Sequence, residues 1–316
     1  MKKILSLVFL LVCFANFLFA GSSKIGTTAF NFIKLDYSAR AEAMASAFSS
    51  IDNDINAIHY NPAGVALLKK NIISLYYSNY FLDVNYQAIS LNQPITKKIN
   101  MVFGVIYLDG GYIEKYNYSD ISSGKARYYD LALLTAIATK IKKFKIGGTI
   151  KVLNETITDD SKTGFTAVVG AITSLSELTG KKEKKDQKFK NTNFGIVFKN
   201  YYGWSTNFGA EKDEKFPKTL SLGASTKFMD SHFISLDYNI NNDNKNKLAL
   251  GYEYYINKTF TARVGYKFSP EINEKNLSFG FGINTKISKH NLSLDFLFKQ
   301  NEILGDKTAI NLNIVF

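Results

Sequence analysis

Beyond residue 71 this chain alternates apolar and polar side chains in runs of about ten residues, and few folds can use such runs. Ile234, Leu236, Tyr238 and Ile240 alternate with Ser235, Asp237 and Asn239. Phe260, Ala262, Val264, Tyr266 and Phe268 alternate with Thr261, Arg263, Gly265 and Lys267, and Leu277, Phe279, Phe281 and Ile283 with Ser278, Gly280, Gly282 and Asn284. Successive side chains of a strand point to opposite faces, so each run has one apolar face and one polar or small one. A β-sandwich would also alternate, but its strands usually span about 5–6 residues, whereas a strand tilted across a bilayer needs about 9–11. Lipid on one side and a polar lumen on the other require this pattern. The 25 Phe and 19 Tyr, many at run ends, suit the aromatic girdles of such a wall. After residue 20 no apolar run is long enough for a membrane-crossing helix.

Counting the runs predicts fourteen strands, from Ile72–Tyr80 through Ile99–Asp109, Tyr128–Lys140 and Asn193–Asn200 to Thr308–Phe316. The number is even, as in bacterial single-chain barrels, and an open sheet edge is not tolerated in hydrocarbon, so the first and last strands must pair. The expected fold is all-β: a 14-stranded antiparallel transmembrane β-barrel over residues 71–316, with a small N-terminal hatch inside. Connections after even-numbered strands are mostly short and mark the periplasmic side, while those after odd-numbered strands, notably Gly110–Arg127 and Tyr201–Pro217, are longer and face outside. The exception is Leu175–Thr192, in which six lysines crowd into Lys181–Lys190. That run is a solvated loop, or a contact for an acidic periplasmic partner.

Residues 1–20 carry Lys2 and Lys3, then an apolar run to Ala20, with Leu18-Phe19-Ala20 as a cleavage site: a secretory signal peptide. Removing it takes two lysines from the formal +12. A basic balance can mean nucleic acid or an anionic surface, and export excludes nucleic acid. The single cysteine, Cys13, lies within the signal, so the exported chain has no disulfide. Signal and barrel together place the protein in the outer membrane, in contact with its lipid.

One stretch, Asp36–Ala66, lacks the alternation. Ala39, Ala41, Ala43, Ala45 and Ala47 keep its first half small enough for close backbone packing. Asp52, Asn53 and Asp54 offer caps to a short helix from Ile55 to Tyr60, Pro62 draws Asn61 out of helical geometry, and Gly64 permits the turn beyond. Spacing alone fits either an amphipathic helix with a turn or a plug over residues 21–70.

The order Ala39-Arg40-Ala41, Ala43-Met44, Ala47-Phe48, Asp52 with Asp54, then Ala57 through Gly64 around Tyr60-Asn61-Pro62-Ala63-Gly64, resembles the N-terminal signature of the FadL-like outer-membrane barrels, most closely their PorV/PorQ-type branch. Phe216-Pro217-Lys218-Thr219-Leu220-Ser221-Leu222-Gly223-Ala224 resembles a second family strand. The chain departs at Asn53, where the family has paired aspartates, and at Ala45-Ser46, where it often has Gly-Gly. The resemblance implies fourteen strands and a hatch in which Arg40, Asp52, Asp54, Asn61, Pro62 and Gly64 hold or gate the lumen. The final strand, with Ile310, Leu312, Ile314 and Phe316 on one face, resembles the signal read by the barrel assembly machinery.

Little in the chain suggests catalysis. His59, His232 and His290 are scattered, with no carboxylate or cysteine at metal-ligand spacing, and Gly147-Gly148 and Gly280-Phe281-Gly282 lie within strands rather than before a helix. No catalytic residue, metal or cofactor is expected. The earlier half of the barrel is apolar on both faces: Val102, Gly104 and Ile106 face inward if Met101, Phe103, Val105 and Tyr107 meet lipid, and Leu134, Val168 and Ile172 share that parity. Two readings stand: packing against the hatch, or an apolar path for a hydrophobic small molecule. Gly104, Gly110 and Gly111 are candidate sites for a kink in the wall. The family implies two functions, passive uptake of long-chain fatty-acid-like compounds through a lateral gap, or a PorV-like scaffold of a secretion system.

Overall fold

Fourteen strands close into one antiparallel ring, each hydrogen-bonded to its neighbours in sequence and β1 to β14. The computed structural model describes residues 27–79, 84–119, 121–158, 160–181, 183, 187–206, 215–268, 277–300 and 306–316; the expected signal sequence and part of the Lys181–Lys190 run lie outside them. The strands are β1 Ile72–Asn79, β2 Asn85–Pro94, β3 Ile99–Tyr116, β4 Ser122–Ile141, β5 Phe144–Ile157, β6 Asp160–Ser174 and β7 Phe189–Ser205, then β8 Thr219–Phe228, β9 His232–Asn241, β10 Lys247–Tyr255, β11 Phe260–Phe268, β12 Leu277–Ile287, β13 His290–Lys299 and β14 Lys307–Val315.

The alternation read from the sequence is the alternation of the wall. Phe103, Val105, Leu133, Val169, Phe279, Phe281 and Ile310 are exposed on the outer surface, while Ser235, Asp237, Glu253, Ser278 and Asn311 are buried on the inner one. An apolar belt outside a polar interior is a surface made for hydrocarbon, where every backbone N–H and C=O must pair within the ring.

Three strands run further than expected. β3 and β4 continue as a paired ribbon to Tyr116 and from Ser122, so most of Gly110–Arg127 is strand rather than loop. Residues 112–126 escaped notice because both faces of the ribbon are exposed over most of that length, so no apolar face alternates with a polar one. β7 likewise begins at Phe189 and ends at Ser205, and the connection before it opens with a short helix, Leu175–Thr179, capped by Ser174.

Residues 27–71 precede the barrel and turn into it. The helix Ala39–Ala43 packs on β11–β14, and the 3-10 turns Ile55–His59 and Pro62–Val65 pack on β1–β2 and β4–β6. Both ends of this path touch inward-facing residues, so the segment crosses the lumen.

Candidate functional site

The lumen is a site built by two elements, the N-terminal segment and the inner face of the wall. Small residues on both sides let them meet. Ala39, Ala41, Ala43 and Ala47 are completely buried, and glycines stand opposite them. A methyl on Gly280 would lie 2.5 Å from the Ala43 side chain, and one on Gly147 would lie 2.5 Å from the Pro62 backbone. Gly170, Gly195 and Gly265 are blocked in the same way, by Asn61, by the Ser49 carbonyl and by the Met44–Ala45 backbone. These glycines form a shallow groove around the inner wall in which the segment lies. In sequence they appear only as ordinary members of the polar or small face.

Both halves of the segment join one buried apolar cluster. Ile55, Ile58 and Val65 meet Tyr86, Val102, Ile106, Leu134 and Leu153 of β2–β5 there, and Ala39, Ala41, Ala43, Met44 and Phe48 belong to it with Leu297 and Ala309 of β13 and β14. The earlier half adds a network of buried charges. Arg40 Nη1 lies 2.8 Å from Asp54, its Nη2 lies 2.7 Å from Glu253, and Glu253 also receives Arg263 Nε at 2.6 Å. Arg263 Nη1 reaches Asp295 at 2.7 Å. Glu42 accepts both Lys307, at 2.8 Å, and Tyr76 Oη, at 2.6 Å. Asp237 accepts the backbone N–H groups of Phe48 and Ser49 at 3.0 and 2.8 Å. Glu253, Arg263, Asp295, Asp237 and Lys307 carry no pattern of their own in sequence, where each is one polar residue of an alternating strand.

Arg40, Asp52, Asp54, Asn61, Pro62 and Gly64, the residues of the family motif, lie along this segment. Arg40 and Asp54 belong to the charge cluster, and Asp54 Oδ1 also caps the Ile55–His59 turn through Asn56 N at 2.8 Å. Asp52 pairs with Lys145 of β5. Asn61 is fully buried and donates to the Ser49 carbonyl at 2.7 Å, while its Oδ1 accepts from Ala63 N at 3.1 Å. Pro62 opens the next turn, and Gly64 is pressed against the Ile51 carbonyl, 2.5 Å from where a methyl would sit. The departures from the family motif fall on special backbone: Ala45, Ser46 and Asn53 have φ of 53°, 65° and 56°. This left-handed region is where glycine sits without strain, so Ala45 and Ser46 hold a conformation for which Gly-Gly is better suited.

Val102, Ile106, Leu134, Val168 and Ile172 are 0–2% exposed, and Gly104 is buried with them. None of the six lines the cavities described below. Gly104 is paired with Ser90 and Leu134 in unbroken register, so the wall has no kink at that point. The register does shift between Asp109 and Tyr112, with Gly111 at φ 72°, but this bulge lies just past Asn85, where β2 begins. It bends the ribbon at the rim and leaves the wall closed.

The segment separates two chambers. One, of about 870 Å³, lies at the end of the even-numbered connections, between Arg40, Asp52 and Asn53 of the segment and Lys143, Lys227 and Glu177. The other, of about 400 Å³, lies at the opposite end, between Asp36, Tyr37, His59 and Tyr60 and the wall lysines Lys151 and Lys199. A third space, of about 460 Å³, is an aromatic groove on the outer wall bounded by Phe279, Phe281, Phe296 and Phe298.

No family model matches the chain, and no curated protein sequence does. Its likeness to solved structures is extensive. The Ralstonia pickettii toluene transporter TbuX superposes with a TM-score of 0.57 at 13% identity, over 88% of this chain and 97% of that one. The monoaromatic hydrocarbon channel CymD gives 0.59 at 14% identity, over 91% and 98%. A Pseudomonas aeruginosa FadL homologue gives 0.52 at 12%, over 95% and 99%. The chain has the FadL-type barrel fold.

Within this FadL-type barrel the three histidines lie apart from one another. His59 is buried with its Nε2 3.5 Å from Ser90 Oγ, and burial, with Lys151 and Lys199 close by, holds its pKa well below the usual histidine range. His232 contacts Tyr252 Oη at 2.6 Å, and His290 packs edge-on against Phe316. Among the described residues no group of three His, Cys, Asp or Glu is placed to hold a metal.

Proposed function

We propose that this FadL-type barrel is a passive outer-membrane channel for hydrophobic small molecules, with the N-terminal segment as its hatch. The observation that carries the reading is the divided lumen: one segment of the chain separates two chambers, inside a fold whose solved examples include a toluene transporter and a monoaromatic hydrocarbon channel. The two kinds of attachment suit a hatch. The later half, on β2–β5, loses stabilisation when it meets water. The earlier half, on β9–β14, can exchange its charged partners for water and is the half that moves. Val102, Ile106 and Leu134 are then the anchor of the hatch rather than the ligand path. The short connections and both ends of the ring, Ile72 and Val315, face the periplasm.

The test is uptake of labelled toluene and oleate by cells stripped of their own transporter for each. Saturable uptake that depends on the folded barrel, and that changes when Asn61-Pro62 is replaced by Ala-Ala, is the expected result. A folded barrel that supports uptake of neither compound overturns the channel reading and leaves a scaffold.

A further inference from the structure

The two ends of the barrel carry opposite charge, and a passive path for neutral compounds does not need that. Between the strand ends, the even-numbered connections hold eleven lysines against four carboxylates, and the odd-numbered connections hold five lysines against eleven carboxylates. At the even-numbered end the carboxylates are also occupied. Among the described residues Glu177 pairs with Lys140, Asp230 with Lys190 at 2.7 Å and Asp52 with Lys145, while Glu183 accepts the Asn191 N–H at 2.7 Å. The lysines of the short turns are not. Lys97 and Lys98 between β2 and β3, Lys142 and Lys143 between β4 and β5, Lys258 between β10 and β11, and Lys289 between β12 and β13 are all exposed, and none has an ion-pair partner among the described residues.

Their depth fixes what they meet. Each of the four turns is closed by residues of the outer, lipid-facing alternation. Ile95 N–H donates to the Ile99 carbonyl and Ile256 N–H to the Phe260 carbonyl, both at 3.0 Å, Ile141 is the ladder partner of Phe144, and Ile287 is the partner of His290. All but His290 are exposed apolar side chains. The apolar belt therefore runs to the last pair of each hairpin, and the lysines follow within one to three residues, at about 3.3 Å of rise apiece. Hydrocarbon gives way to headgroups at that level, where a lysine stem lies along apolar surface and its ammonium reaches the phosphate layer. Turns this short do not rise clear of the interface.

We infer that this rim is a binding surface for anionic phospholipid. The ammonium groups of the even-numbered turns hold lipid phosphates of the adjoining leaflet, on the periplasmic side, and favour headgroups of net negative charge over zwitterionic ones. Four hairpins, on β2–β5 and β10–β13, share the arrangement, so the surface borders two arcs of the barrel. The acidic opposite end offers the same headgroups no such attraction. The inference rests on the barrel's place in a membrane and not on the channel reading.

The test follows spin-labelled phosphatidylglycerol and phosphatidylethanolamine in phosphatidylcholine bilayers that hold the refolded full barrel, where lipid touching protein gives a motionally restricted spectrum. The wild type is expected to favour phosphatidylglycerol at least about threefold, and to lose that preference near 1 M salt, where exposed charges are screened. Lys97→Gln, Lys98→Gln, Lys142→Gln and Lys289→Gln combined should bring the ratio below about 1.5, while the same four positions changed to arginine should keep it. Lys115→Gln with Lys125→Gln, on the ribbon at the opposite end, should leave it unchanged. The salt titration of the wild type gives the same readout if the fourfold variant does not fold. Equal association of the two lipids with the wild type, or a preference that salt and the four substitutions leave intact, overturns the inference. Lysine-dependent binding of poly-glutamate without preference between the lipids also overturns it, and makes the rim a docking surface for an acidic protein.

Discussion

At Glu253 two guanidinium groups share one carboxylate, and the surrounding charges decide which substitution the barrel tolerates. Arg40 and Arg263 face Asp54, Glu253 and Asp295, so the cluster holds two positive and three negative groups. Replacing Glu253 by Gln leaves two of each, and each arginine keeps a partner. Replacing Arg40 by Met leaves one cation among three carboxylates, with Asp54 buried and deprived of its arginine. Breaking a buried pair from one side costs about 3–5 kcal/mol, so Arg40→Met is expected to fall in that range and Glu253→Gln well below it, measured by thermal unfolding in detergent. Adding Asp54→Asn to Arg40→Met should recover part of the loss, because Asn still caps the following turn while the stranded charge is gone. The same scale predicts an inversion among the alanines. Ala41→Gly removes a buried methyl from a helix, a loss of about 1–2 kcal/mol. Ala45→Gly also removes a methyl but relieves a left-handed alanine that costs about 1–2 kcal/mol. In the same melts, Ala45→Gly should therefore be at least about 1 kcal/mol less damaging than Ala41→Gly.

Within one strand, β5, the adjacent Gly147 and Gly148 separate the two faces of the wall. A methyl on Gly147 would strike the Pro62 backbone, whereas one on Gly148 would meet nothing nearer than 3.8 Å. Gly147→Ala is expected to cost about 1–3 kcal/mol through overpacking, and Gly148→Ala to stay within about 0.5 kcal/mol, as surface substitutions do. If both are silent in thermal unfolding, the N-terminal segment does not lie in this groove. Which faces point inward was legible from alternation, because the period of two is a property of each strand alone. What the inward residues meet was not. The glycine groove joins positions far apart in the chain, Gly147 with Pro62 at one extreme and Gly280 with Ala43 at the other, as does the partnership of Glu253 with Arg40, and neither a glycine nor a glutamate on a polar face signals its partner. Asp54 and Asn61 were legible as a helix cap and as the residue before a proline, whereas Arg40 could be singled out only through the family motif. The β3–β4 ribbon was missed for the opposite reason: outside the membrane nothing imposes alternation, so its sequence carries no strand signal.

At the scale of the whole barrel, the proposed hatch rests on two sets of contacts. Its later half shares a core with β2–β5, and its earlier half adds buried charges on β9–β14, so loosening the charges should free one end while the other stays anchored. The wall itself offers no alternative way through. Its ring of pairs is complete from β1 to β14, and the bulge at Gly111 sits at the rim. Permeation of ions therefore tests whether the N-terminal segment obstructs the lumen. In planar bilayers the wild-type barrel is expected to pass little steady current, because the segment stands between the two chambers. Arg40→Met should add discrete openings, and Arg40→Met with Asp54→Asn should return toward the closed behaviour as the stranded carboxylate is removed. Gly148→Ala, on the lipid face, should leave the trace unchanged. Full porin-like current from the wild type would mean that the segment does not obstruct the lumen, and an unchanged trace from Arg40→Met would mean that the charge cluster is not what keeps it closed.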